Sequence, residues 1–222
     1  MCQRTAPFLL PLLFATMAMF PAWAQSANDR YTTCTQHASE NPQATLPEAR
    51  SWFEESRSVA AQHCMALSLF AMGDYKSAAT TLDDILQTMK PEQGKLWISM
   101  KAQAAKAHKL AGSKSQAIMH LSEAIKLASD QGLDSEMVPL LLERSKIYES
   151  DGKALDAVQD LDHAVAIAPE SATYLERAEI LMRMGKNESA MDDVQTVKKL
   201  SPDDVKAAAL EAQITRSMTK KP

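Results

Sequence analysis

Four glycines, Gly73, Gly112, Gly152 and Gly185, set the register of the hydrophobic pattern. Five residues after each comes alanine: Ala78, Ala117, Ala157 and Ala190. Nine after each comes Leu82, Leu121, Leu161 or Val194, and twelve after comes Ile85, Ala124, Ala164 or Val197. Seven before each lies a small residue, Ala66, Ala105, Ser145 or Ala178. A left-handed turn is least costly for a residue without a β-carbon, so each glycine is predicted to end one helix and turn the chain into the next. The small residues on either side mark a close approach of two helices, and the branched ones fill the space between hairpins. Pro169 and Pro202 follow the last two glycines at seventeen residues and break the helix before the next unit.

This pattern predicts four helical hairpins over about 59–91, 92–130, 135–170 and 171–202. The glycines are 39, 40 and 33 residues apart. The excess falls in Met89 to Gly94 and in Ser129 to Asp134, where elongated helices or longer loops are expected. Ahead of the hairpins, residues 25–58 predict a helical extension: Tyr31 to Glu40, stopped at Asn41-Pro42, then a helix from Pro47 carrying Trp52 and Phe53. Behind them, in 203–222, Asp203 to Met218 reads as a capping helix with Ala207, Leu210, Ile214 and Met218 on one face. Ser113 with Gln116 has the spacing of a capping box, and Ser201-Pro202-Asp203-Asp204 that of an N-cap followed by a first-turn proline and acids.

Tyr174-Leu175-Glu176-Arg177-Ala178, through Gly185, Ala190, Val197, Leu200 and Pro202, resembles a tetratricopeptide repeat, and Leu141 through Pro169 resembles another. The resemblance covers residues 59–204 and is strongest in the last two units; the family repeat is near 34 residues. It implies an all-α fold: a right-handed α-solenoid of four such hairpins, with the first helices lining a concave groove that binds extended or helical segments of partner proteins. Positions nine, six and three before each glycine sample that face. They are Cys64, Leu67 and Phe70 in the first unit; Gln103, Lys106 and Lys109 in the second; Glu143, Lys146 and Glu149 in the third; Glu176, Glu179 and Met182 in the fourth. The apolar first unit is expected to be covered by the N-terminal extension. The groove then opens on Gln103, Lys106, Lys109, Glu143, Lys146, Glu176 and Glu179, a mixed-charge surface suited to salt-sensitive recognition. Some members of the family grip a partner's terminal carboxylate with Lys and Asn on first helices. Asn28, Asn41 and Asn187 all lie elsewhere, so that clamp is not expected.

Composition narrows the rest. In a chain of 222 residues, six glycines and 5% aromatics leave little material for a turn-rich β fold. The formal charge of −4 with scattered cations indicates no face for nucleic acid. Residues 1–24 read as a secretory signal: Arg4, an apolar run from Phe8 to Phe20, and the small-x-small site Ala22-Trp23-Ala24, with cleavage after Ala24. The run is too short to span a bilayer, and no other segment could cross one. Resemblance to exported bacterial proteins of this repeat type implies the periplasm. Cleavage removes Cys2 and leaves the even pair Cys34 and Cys64, which an oxidising compartment favours as a disulfide.

Catalytic chemistry is scarce. There is no nucleophile elbow, phosphate loop or paired-His metalloprotease motif. Cys34, His37, His63 and Cys64 form the one metal-like set, but adjacent residues on a helix point about 100° apart and converge poorly. No metal and no cofactor are expected. His108, His120 and His163 read as isolated, partly exposed helix positions, the methionines as core filler, and the acidic pairs Asp83-Asp84 and Asp192-Asp193 as solvated faces. The expected function is that of an exported, non-catalytic scaffold for protein–protein interaction in envelope assembly or maintenance. The rival is a periplasmic chaperone holding client segments, which should expose an apolar patch.

Overall fold

The computed structural model describes residues 26–219. The expected signal and its cleavage site lie outside these residues. Eleven α-helices and no strand make up the described residues. α1 (Ala27–Glu40) and α2 (Pro42–Ser56) form the N-terminal extension. Four hairpins follow: α3 (Val59–Ala71) with α4 (Tyr75–Thr88), α5 (Lys95–Leu110) with α6 (Lys114–Asp130), α7 (Asp134–Ser150) with α8 (Ala154–Ile167), and α9 (Ser171–Arg183) with α10 (Asn187–Leu200). α11 (Val205–Thr219) closes the array, a right-handed α-solenoid.

The hairpin turns share one backbone device. At Gly152, φ is +73°; its N–H donates to the Glu149 carbonyl at 3.0 Å, and the next N–H, Lys153, reaches back to Tyr148 at 2.8 Å. These bonds satisfy carbonyls that the end of a helix otherwise leaves unpaired. The same pair of bonds recurs at Gly73, Gly112 and Gly185, and also at Gly132, between α6 and α7. The longer spacings have two physical origins. α5, α6 and α7 run 16, 17 and 17 residues, against 13 or 14 for the other hairpin helices. In addition, a 3-10 turn at Pro91–Gln93 bridges α4 and α5.

The small-residue columns are where the helices touch. Ala66, Ala105, Ser145 and Ala178, and Ala78, Ala117, Ala157 and Ala190, are all essentially without solvent exposure. Leu82, Leu121, Leu161 and Val194 pack over them. A larger side chain at these contacts would force the helices apart, and interiors at crystal-like density have no room for that. The buried apolar residues form three groups: one across the first two hairpins that also takes in Leu46 of α2, α7 and Ala164 of α8, one across α8 to α11, and a small one in which Ala49 and Trp52 of α2 meet Ala61 and Cys64 of α3.

Several end details differ from expectation. α2 begins at Pro42, not Pro47, because the Asn41 side chain caps it by accepting from Ala44 N–H at 3.4 Å; Pro47 sits inside the helix at the cost of one backbone bond. Ser113 makes no side-chain cap bond at the start of α6. Ser201 ends α10 and exchanges a hydroxyl bond with Ser171 at 2.9 Å, so the N-cap of α11 is Asp204, which accepts from Ala207 N–H at 2.9 Å. Ala207, Leu210 and Ile214 are buried, whereas Met218 is exposed.

Candidate functional site

The N-terminal extension sits on α3. Cys34 of α1 and Cys64 of α3 are disulfide-bonded, with Cα atoms 6.1 Å apart. Beside the bond, the Tyr31 hydroxyl and His63 Nδ1 are 2.6 Å apart, and His63 Nε2 is 2.8 Å from Gln103 Oε1 on α5. Burial lowers the His63 pKa, against a smaller opposing effect of Gln103. Both cysteines of this set are thus bonded to each other, both His63 nitrogens have polar partners, and His37 is exposed. Cys64 is fully buried, and Leu67 and Phe70 are half-buried. The Lys106 ammonium lies 5.2 Å over the Phe70 ring.

Beyond this end, two concavities hold the expected groove residues. A cleft of about 550 Å³ between α5 and α7 is lined by Gln103, Lys106, Lys109 and Glu143 among others. Lys109 Nζ donates to Glu143 Oε2 across it at 3.1 Å, and Lys95 and Glu136, which also line it, form a second pair. Its floor is Ile98, Ala102, Leu121, Leu140 and Ile147. The expected mixed-charge groove is therefore a charged rim over an apolar floor that the sequence reading did not include. Period-three sampling of a helix reports its most outward row and misses the neighbouring row that lines the bottom.

A second, wider concavity of about 810 Å³ between α7, α9 and α11 is lined by Lys146, Glu149, Glu176 and Glu179, with Asp204 just ahead of α11 and Lys206 in its first turn. Burial raises the Glu176 carboxyl pKa; Lys146 opposes the rise, and Glu149, Glu179 and Glu143 add to it. The expected residues are thus divided. Glu143 and Lys146 share α7 and contact at 3.8 Å, but they line different concavities.

The structure also shows polar pairs that the sequence pattern did not. Arg144 grips Asp160 with Nε at 2.9 Å and Nη2 at 2.6 Å, and its Nη1 donates to Ser122 of the preceding hairpin at 2.8 Å. Arg177 repeats this one unit on: Nε and Nη2 meet Asp193 at 2.9 and 2.5 Å, and Nη1 reaches Asp162 at 2.7 Å. Asp160 and Asp193 are 5% and 4% exposed, so Asp193 is a buried ion-pair partner and not part of a solvated face. The available signal was a column: Arg eight before and Asp eight after Gly152 and Gly185.

In the second unit that Asp column holds His120, which is 4% exposed and stacks on His108 with ring centroids 5.3 Å apart. The Asp83 carboxylate lies between them: Oδ2 is 2.9 Å from His108 Nε2, and Oδ1 is 2.9 Å from His120 Nε2. Lys101, also buried, stands 3.3 Å from His120 Nδ1, pairs with Glu123 and lies 4.8 Å over the Trp97 ring. His108 and His120 are therefore not isolated: His120 is buried and His108 only partly exposed, while Asp83, about a third exposed, is their shared acidic partner; Asp84 and His163 are exposed, as expected. Met89, Met100 and Met137 fill the core, while Met72, Met119 and Met218 are exposed.

No family model matches the chain. Over 107 residues it is 28% identical to DnaJ homolog subfamily C member 3 of Gallus gallus, a match that covers 48% of this chain and 20% of that protein. The chain therefore spans about a fifth of the length of that relative. Among solved structures, it is similar to the C-terminal part of a TPR repeat-containing protein from Cytophaga hutchinsonii, with a TM-score of 0.70 and 11% identity over 85% of this chain and 71% of that one. It is also similar to YrrB, described as a TPR protein with an unusual peptide-binding site, with a TM-score of 0.63 and 12% identity over 85% and 93% of the two chains.

Proposed function

We propose, for a chain with the tetratricopeptide-repeat fold, that it is a non-catalytic scaffold exported to the periplasm, where it binds an extended peptide segment of a partner protein in envelope assembly or maintenance. The observation that carries the reading is the cleft between α5 and α7. An apolar floor under a rim of Lys95, Lys106, Lys109, Glu136 and Glu143 can take one or two apolar side chains and orient their flanks by charge. The peptide-binding site in the description of YrrB supports a peptide as the ligand class. Among the described residues, no helix is long and apolar enough to cross a membrane. The export reading rests on the apolar run and the Ala22-Trp23-Ala24 site.

A photo-crosslinker placed at Ala102 on the cleft floor tests the reading, with one at exposed Lys126 as control. The expected result is a discrete adduct in envelope fractions from Ala102 alone, weakened by added salt and by Lys106→Glu/Lys109→Glu. Equal capture from both positions, or no effect of the charge reversal, would reject the cleft. N-terminal sequencing of the chain from periplasm should begin at Gln25; an intact leader in a cytoplasmic fraction would reject export.

A further inference from the structure

We propose that Asp83, His108 and His120 form a binding site for a divalent transition metal of the zinc class, joining the first hairpin to the second. The three residues come from three helices, α4, α5 and α6, and their ligating atoms all lie within 4.8 Å of one another. Bonds of 2.0–2.2 Å to imidazole nitrogen and carboxylate oxygen place ligand atoms about 3.3 Å apart around a tetrahedral ion. The two Asp83–His contacts, each 2.9 Å and each to a different carboxylate oxygen, fall a few tenths of an ångström below that edge length, so small side-chain shifts would bring the ligand atoms to it.

A second observation points to a ligand. His120 Nε2 and Asp83 Oδ1 are buried and face each other, yet the N–H and the lone pair are misaligned and neither atom completes a hydrogen bond. Buried polar atoms are nearly always satisfied, so a facing pair that makes no hydrogen bond is costly to keep. An ion between them and His108 Nε2 would satisfy all three residues at once. Two imidazoles and one carboxylate suit zinc, cobalt, nickel or copper, whereas calcium and magnesium favour all-oxygen shells. A solvent-open pocket of about 240 Å³, lined by Asp83, Lys101, Met119 and His120, provides a route in and a position for water as a further ligand.

Lys101 decides how tightly the site holds its ion. Without metal, its ammonium donates to His120 Nδ1, which places the imidazole proton on Nε2. An ion at Nε2 moves that proton to Nδ1, so Lys101 must withdraw onto Glu123 and the Trp97 ring, its other partners. Metal binding therefore competes with Lys101, and Lys101→Met should tighten it.

The test is calorimetric titration of the untagged full chain with Zn²⁺, together with the visible absorption of its Co²⁺ complex. Expected are one equivalent of Zn²⁺, intense tetrahedral Co²⁺ bands, and a thermal midpoint raised by roughly 5–10 °C at a hundredfold excess over Kd. His108→Asn and Asp83→Asn should each weaken binding by about 10-fold or more, and Lys101→Met should strengthen it by a similar factor. His108 is at the edge of the core and tolerates substitution better than His120, so its variant keeps the test decisive if His120→Asn does not fold. Absence of a stoichiometric equivalent in the wild-type chain overturns the proposal. So does an equivalent whose affinity is the same in His108→Asn.

Discussion

Substituting Asp193 by alanine removes the acceptor of two charged hydrogen bonds, Arg177 Nη2 at 2.5 Å and Nε at 2.9 Å, from a site only 4% exposed. The stranded guanidinium keeps Asp162 at 2.7 Å and the Tyr174 ring at 5.4 Å, but Asp162 is more than half exposed and screened by water. Breaking a buried ion pair from one side costs about 3–5 kcal/mol, and the surviving Asp162 contact places this case near the lower end, about 3 kcal/mol. Asp193→Asn, which keeps the shape and one acceptor, should cost about half as much. The double variant Arg177→Met/Asp193→Leu removes both charges together and should return to within about 1 kcal/mol of wild type, because the pair's desolvation cost is removed with its attraction. Urea unfolding followed by circular dichroism reads this directly: at a slope of about 2 kcal/mol per molar, Asp193→Ala lowers the midpoint by about 1.5 M. A loss below about 1 kcal/mol, or single-variant losses that simply add in the double variant, would refute the account of this bridge as a buried, coupled ion pair.

Reducing the Cys34–Cys64 bond, which closes a separation of 30 residues, should cost about 3–4 kcal/mol by the chain-entropy estimate and act mainly on α1 to α3. Hydrogen exchange with and without reductant checks this; α1 amides should lose protection while α9 and α10 keep theirs. The burial-lowered pKa of His63 sets a pH dependence: its contribution is fully present above the usual imidazole value of about 6.5 and is lost as pH falls through the depressed folded value, since the buried ring must then take up a proton. Comparing urea midpoints of wild type and His63→Gln from neutral pH downward should show a shallower acid loss in the variant, and parallel curves would count against it.

The glycine register, the small-residue contacts and the helical class could be read directly from the chain, because each follows from local cost. A positive φ excludes most side chains at Gly152, and a close helix crossing excludes large ones at Ala78 or Ala178. The Cys34–Cys64 pair was legible from a count instead, since these are the only two cysteines among the described residues. The groove positions were legible only as an outward row. Whether Gln103 would face solvent or hydrogen-bond to His63 depended on where α3 came to lie.

Helix ends were less legible. Ser113 and Ser201 carry the right side chains for capping, but whether a hydroxyl meets an N–H is set by backbone angles that tertiary packing imposes. The polar core was least legible. Arg177 and Asp193 are 16 residues apart, and Asp83 is 25 from His108, so neither pair shares a helix and no local period links them. Sequence by itself determined the repeating hairpin, because turn geometry and close packing act residue by residue. Only the tertiary structure decided which charges are buried together, because that depends on how successive hairpins stack. The apolar floor of the cleft and the Asp83, His108 and His120 cluster both come from contacts between hairpins.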